Sequence, residues 1–403
     1  MLGRFTLIFV LARSIAPDQL GLFGLISAII TFALYSLGLD FYTFSGRELA
    51  RADATRLPSM LRDQLVVYGL SYLLVFPILG FAIQAGWIPA QYILPFYFIL
   101  AFEHLSQEIV RVLVVVGHPV SANCVLFVRS GGWSLLLIAA SLVKPGWLKL
   151  SLVLWTWAAG TLVAFALGCW ILRNLDWTRR EPAIDWQWIR RGMLTAAALL
   201  LGTLALRALF VADRVLLETI STNEILGVYT LYFSVANSLV TLVDGMVFTF
   251  YQPKLISSYH RSDPGEFWRV AGEFGRRTGV VTLGLALAIA LASYPVFLWT
   301  GRPLYLTELP SFFLLLFAMI VFCLGYIPHY LLYAAGRDRA IIRAHWLGLG
   351  AFVAAAWLGG QRHGMLGVVA TVLIAHVVIA LSKQFAATSI PDSMRVMEKR
   401  KVA

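Results

Sequence analysis

Long runs of apolar residues, separated by short polar turns, fill this chain from end to end. A helix needs about 20 such residues to cross the hydrocarbon of a bilayer. Eleven runs reach that length, roughly at 20–44, 65–88, 92–116, 119–143, 149–172, 192–217, 224–252, 278–299, 309–334, 340–360 and 363–385. A twelfth, Met1 to Ala12, is apolar but short, and reads as a first helix truncated by a start codon placed late. The pattern predicts an all-α polytopic membrane protein of about 12 transmembrane helices.

The polar turns carry a second pattern. Pro17 to Leu25 (PDQLGLFGL) reappears 206 positions later as Asn223 to Leu231 (NEILGVYTL), each copy opening a long apolar run. At an offset of 219, Leu113 to Gly117 is echoed by Leu332 to Gly336. Internal repetition of this kind is how transporters are commonly built, with the site between the halves. It predicts two pseudo-symmetric six-helix bundles, at 1–172 and 192–385. A cytoplasmic linker at 173–191 joins them, and a cytoplasmic tail at 386–403 follows. Two stretches between spans, Asp185 to Arg191 and Asp263 to Arg277, have the Trp/Phe-and-Arg composition of helices lying in the headgroup region.

Composition agrees: 60% of residues are hydrophobic, 13% are charged and mean hydropathy is +0.79. The net charge of +11 would suggest a nucleic-acid partner only if the charge formed a patch. Instead, with a cytoplasmic N-terminus, 22 of the 32 Lys and Arg fall in alternate loops and the tail, among them Arg47 to Arg62, Arg173 to Arg191, Lys254 to Arg277, Arg337 to Arg343 and Lys383 to Lys401. That bias is the positive-inside rule, which puts both termini in the cytoplasm. Nucleic acid is therefore not a partner. Cys124, Cys169 and Cys323 lie inside apolar runs without metal spacing and read as small core residues. No phosphate-binding loop occurs, and every external loop is too short to carry a catalytic lobe. A primary pump is excluded, no catalytic residue or cofactor is assigned, and the chain reads as a non-enzyme.

Ionisable groups inside the spans mark pathways or neutralise one another. His104, Gln107, Glu108 and Arg111 recur at helical spacing and form one stripe. Glu103 and Arg129 lie at matching depths on either side of the Gly117 turn, so they read equally as a structural pair or as part of a substrate site. Arg207 lies near mid-membrane with no acid within a helical turn. Asp213 and Arg214 fall near the outer interface, where long side chains reach water. Asn237, Thr241 and Asp244 share a face, and Asp40 occupies a depth in the second segment comparable to that of Asp244. His329 and His376 read as core histidines.

The run Ala12 to Phe23, with its Ala-Arg pair, Pro17 and Asp18-Gln19-Leu20-Gly21, resembles the opening of O-antigen-type polysaccharide-biosynthesis flippases. Ala208 to Tyr229, with Asp213-Arg214 and Leu226-Gly227-Val228-Tyr229, is similar to the same family's seventh-helix region. These flippases belong to the multidrug/oligosaccharidyl-lipid/polysaccharide (MOP) superfamily. The resemblance implies alternating access, a central cavity lined by helices 1, 2, 7 and 8, and a bacterial inner-membrane location. It implies as substrate a polyprenyl-pyrophosphate-linked oligosaccharide, flipped across the bilayer, with polymerase or export machinery as further partners. Arg129 and Arg207, with Arg214, Arg111 and Asn237, are then the candidate substrate-binding residues, because guanidinium forks suit a pyrophosphate in an apolar site. Asp40, Asp213, Asp244, Glu103 and Glu108 are the candidate gating or ion-coupling residues, with H+ or Na+ as the coupling ion. The rival readings are an ion-coupled multidrug or metabolite antiporter of the same superfamily and a membrane glycan polymerase.

Overall fold

The computed structural model describes residues 2–53, 55–144, 146–173, 183–261 and 264–390, and the described residues contain helices and turns but no strand. The first half holds α1 (Leu2–Ser14), α2 (Pro17–Gly38), α3 (Tyr42–Leu49), α4 (Leu57–Gln84), α5 (Ile93–Val115), α6 (Pro119–Phe127), α7 (Trp133–Val143) and α8 (Leu150–Leu172). Then come α9 (Trp186–Ile220), α10 (Asn223–Val243), α11 (Thr249–His260), α12 (Pro264–Trp299), α13 (Leu304–Thr307), α14 (Leu309–Leu324), α15 (Tyr326–Ala334), α16 (Asp338–Leu358) and α17 (Gly364–Ala387). Every one of the twelve apolar runs is helical. Nine described helical segments are long and apolar enough to cross a membrane, and the bent pair 186–197 and 200–220 of α9 makes a tenth. The other two runs are α1, only 13 residues long, and α5, whose 23 residues include Glu103, His104, Gln107, Glu108 and Arg111.

Two compact units result, Met1–Leu204 and Ala205–Ala403, with the division falling inside α9. The sequence echoes are echoes of backbone geometry. Pro17 opens α2, where a proline's missing N–H costs nothing, and its counterpart Asn223 opens α10 behind the N-cap Thr222. Gly117 and Gly336 both take the left-handed conformation (φ +84° and +65°) that an L side chain resists. The residue after each donates its N–H back five residues: His118 to the Leu113 carbonyl at 2.8 Å, Arg337 to the Leu332 carbonyl at 2.9 Å. Both helices thus end in the same glycine cap. The copies also break alike. α2 stops at Gly38 with Leu39 and Asp40 left-handed (φ 50° and 49°), and 206 positions after Gly38 the regular helix of α10 gives way to a π-helical turn over Asp244–Phe248.

Between membrane helices, hydrocarbon replaces water and apolar burial contributes little, so close packing at small residues must hold the bundle. In the first unit α8 presses Gly168 onto Ile109 of α5, where an added Cβ would lie 2.3 Å from the Ile109 Cγ2. In the second, Gly348 of α16 meets Ile379 of α17 equally closely. The stretch Asp185 to Arg191 does not form a separate surface helix. Asp185 caps α9 by accepting from the Trp188 N–H at 2.8 Å, and Trp188 and Ile189 bury against Phe41, Val67 and Tyr68. Packing an indole into that aromatic pocket outweighs leaving it at an interface. The 264–277 part of the second amphipathic stretch is likewise the first turns of α12, with Phe267, Val270 and Phe274 buried. Residues 174–182 of the 173–191 linker and the tail from 391 onward lie outside the described residues.

Candidate functional site

Three buried polar clusters stand out, two in the first unit and one in the second. The first is built around Glu103, 3% exposed on α5. Arg129 reaches it at 3.4 Å, so the pair foreseen across the Gly117 turn is formed. A second arginine joins from α1: Arg4 lies 3.1 Å from the same oxygen. Trp157 of α8 donates its indole N–H to the other carboxylate oxygen at 3.2 Å, and Arg129 also donates to Gln107 at 3.3 Å.

The backbone explains how Arg4 is held. Between α6 and α7 the chain makes a π-helical turn, Val128–Gly132, and such turns loosen the regular carbonyl ladder. The carbonyls of Ser130 and Arg129 accept from the Arg4 guanidinium at 3.1 and 3.3 Å. The same guanidinium lies 5.0 and 5.3 Å from the stacked rings of Trp157 and Trp133. Two cations therefore share one carboxylate, and the cluster carries a net positive charge.

The second cluster uses the stripe on α5. Glu108 accepts from the Tyr68 hydroxyl at 2.5 Å and from Gln64 at 3.3 Å, both on α4, and pairs with Arg111. The Arg111 guanidinium sits 3.5 Å from the centre of the Tyr42 ring. His104, 1% exposed, bonds the Tyr72 hydroxyl through Nδ1 at 2.8 Å and lies 4.0 Å from Glu108. The stripe faces protein, as its spacing required.

The third cluster lies on α9 and α10. Asp213 and Arg214, expected near the outer interface, are 1% and 6% exposed and pair at 3.1 Å. Tyr229 donates its hydroxyl to Asp213 at 2.5 Å, and the Phe233 ring covers the Arg214 guanidinium at 4.0 Å. Tyr229 belongs to the repeated phrase and Phe233 follows it by two residues, so α10 supplies the lid that keeps the pair from water. Hydropathy along α9 alone could not show this.

The remaining candidates lie outside these clusters. Asp40 is buried at the left-handed end of α2, whereas Asp244 is exposed and Asn237 half-buried along α10 and the π turn after it. Arg207 is half-buried on α9. Cys323 is buried, but Cys124 and Cys169 are exposed side chains rather than core. Among the described residues no group of His, Cys, Asp and Glu could hold a metal ion. Sequence reasoning missed Arg4, Gln64, Tyr68, Trp157 and Tyr229; an arginine inside the apolar α1 was the signal for the first.

No protein-family model matches the chain, and a search of curated proteins finds no match. Solved structures do match over nearly the whole length. An inward-facing multidrug resistance MATE family transporter of the MOP superfamily aligns at a TM-score of 0.78 and 12% identity, covering 97% of this chain and 94% of that one. A MATE protein in the bent conformation aligns at 0.63 and 13% identity, covering 98% and 93%. A Vibrio cholerae MATE transporter variant aligns at 0.55 and 13% identity, covering 97% and 93%. The fold is that of the MATE transporters of the MOP superfamily, an all-α, multi-pass membrane architecture.

Proposed function

We propose that the chain is a secondary transporter working by alternating access, an antiporter that exchanges an organic cargo of the multidrug or metabolite class for H+ or Na+. The observation that carries this reading is the pairing of Arg111, Arg129 and Arg214, three of the intramembrane arginines, with carboxylates. Arg111 and Arg214 are each matched to a carboxylate within their own unit, and Arg129 shares Glu103 with Arg4. Matched pairs are poor docking points for a pyrophosphate, which needs unneutralised positive charge. They suit ion coupling instead. A cation or proton arriving at Glu108 or Asp213 competes with the partner arginine and biases one of two arrangements of the surrounding helices. The solved structures of the same fold include transporters described as multidrug resistance proteins, which supports the same cargo class.

One observation favours the O-antigen-type flippase as a second reading. The Arg4–Glu103–Arg129 cluster keeps one positive charge in excess, and Arg4 is 35% exposed. A lipid-linked pyrophosphate would find its cation there, with the bilayer as the second partner. Expression in two strains separates the readings, one lacking its drug exporters and one lacking its polysaccharide flippase. The antiporter reading expects lowered accumulation of an organic dye in the first and no surface polysaccharide in the second. Restored polysaccharide with unchanged dye accumulation would replace it with the flippase.

A further inference from the structure

Lys383 belongs to α17, four residues before the helix ends, where counting charges along the sequence assigns it to the cytoplasmic tail. The structure buries it inside the second unit at 4% exposure. A lysine so near a helix end could extend its stem to water at little cost. This one does not. Among the described residues no ion pair or hydrogen bond engages its ammonium, and the ring of Tyr326 on α15 stands 5.9 Å away. A buried ammonium without a counter-ion is among the costliest groups a protein can hold, and the cost is relieved either by loss of its proton or by a bound negative charge.

What surrounds it is basic or aromatic. Tyr326 is 5.2 Å from His329 and 5.6 Å from Tyr330, ring centre to ring centre. His329 stacks on His345 of α16 at 6.2 Å, while Phe322 of α14 bridges Tyr326 at 5.1 Å to His376 of α17 at 4.7 Å. Lys383 is within electrostatic reach of both His329 and His376. His329 Nδ1 and His376 Nε2 are buried without a hydrogen-bond partner among the described residues. The acids on these and the neighbouring elements are Asp338, half-buried at the start of α16, and Asp244, which is exposed and lies within electrostatic reach of Tyr330. One ammonium, three imidazoles and two phenols from three helices, α15, α16 and α17, thus converge without a buried carboxylate among them.

We propose that this basic pocket of the second unit binds a small monovalent anion, chloride being the abundant one, against Lys383. A single negative charge neutralises the ammonium, and neighbouring hydroxyl and ring N–H groups can turn toward it. A divalent phosphate would leave an uncompensated negative charge in the same apolar surroundings. A planar oxyanion is also poorly served, because no guanidinium fork is present. The anion is bound by the folded protein only, so it raises stability in a saturable way.

The test is the melting of the purified full-length protein in detergent, followed from potassium gluconate into potassium chloride at constant ionic strength. The wild type should gain several degrees and saturate. Lys383→Met should melt at or above the wild-type gluconate value and lose the chloride response, since a methionine needs no counter-ion. Lys383→Arg should keep the response. Bromide should replace chloride and give an anomalous scattering peak within hydrogen-bond distance of the Lys383 Nζ. A wild type that melts identically in both salts, a response that survives in Lys383→Met, or bromide-soaked crystals without a peak at Lys383 would overturn the proposal.

Discussion

Replacing Glu103 by Gln removes the one carboxylate that two arginines share, at nearly constant volume. The cost follows from exposure. Taking one partner from a buried ion pair costs about 3–5 kcal/mol. Arg129, with its side chain 14% exposed, loses its charge partner but keeps Gln107. Arg4, at 35%, is partly hydrated, so its share falls toward the value below about 1 kcal/mol typical of exposed pairs. A total of about 3 kcal/mol is expected, near the lower end of the buried range. For a unit of roughly 200 residues, each kcal/mol shifts the midpoint by about 2–4 °C, which gives a fall of about 6–12 °C. Arg129→Gln should cost less, about 1–2 kcal/mol, because Glu103 retains Arg4 and the Trp157 N–H. The double variant should be more stable than Glu103→Gln alone, since it removes one of the stranded cations. Melting followed by tryptophan fluorescence in detergent reads all three. If Arg129→Gln falls further than Glu103→Gln, or the double variant is the worst of the three, the shared-carboxylate account is wrong.

Three further outcomes are expected. Gly367→Ala should lower the melting temperature by the equivalent of about 1–3 kcal/mol, because its Cβ would lie 1.9 Å from the Gly360 carbonyl oxygen; Gly350→Ala, with nothing within 4 Å, should be neutral or gain up to about 1 kcal/mol. Thermal melts of the two variants side by side check both signs. Tyr229→Phe should cost about 1–3 kcal/mol by leaving one Asp213 oxygen with only the longer 3.4 Å bond from Arg214, and Tyr232→Phe, whose hydroxyl serves only the Tyr305 carbonyl, should cost less. Cysteines placed at 144–149 and 218–223 should react with an impermeant thiol reagent from outside the cell, and one in the tail should not; the reverse labelling would overturn the orientation drawn from the basic residues.

Much of the architecture was legible along the chain, because apolar length and turn chemistry are local properties. Pro17 and Asn223 mark real helix starts, and Gly117 and Gly336 mark real glycine caps. The His104–Arg111 stripe was legible for the same reason: helical spacing alone decides that its members share a face. What escaped depends on contacts between distant segments. Arg4 meets Glu103 across 99 positions, and only because the π turn after Phe127 frees carbonyls for it. Asp213 and Arg214 seemed close to water when measured along α9, but α10 folds Tyr229 and Phe233 over them. Lys383 counted as a tail charge by position and proved buried by packing. Cargo is the least legible property, since the sequence resemblance points to a lipid-linked sugar while the partnered arginines are the observation behind the proposed antiporter.

Gradient-driven transport by the purified protein in sealed vesicles tests the central claim most directly. Vesicles loaded with a fluorescent organic cation should exchange it against an imposed proton or sodium gradient, and the driven component should vanish when Glu108→Gln is reconstituted in its place. Wild-type protein that moves the dye at the same rate with and without either gradient, or Glu108→Gln protein that remains fully gradient-driven, would contradict the account.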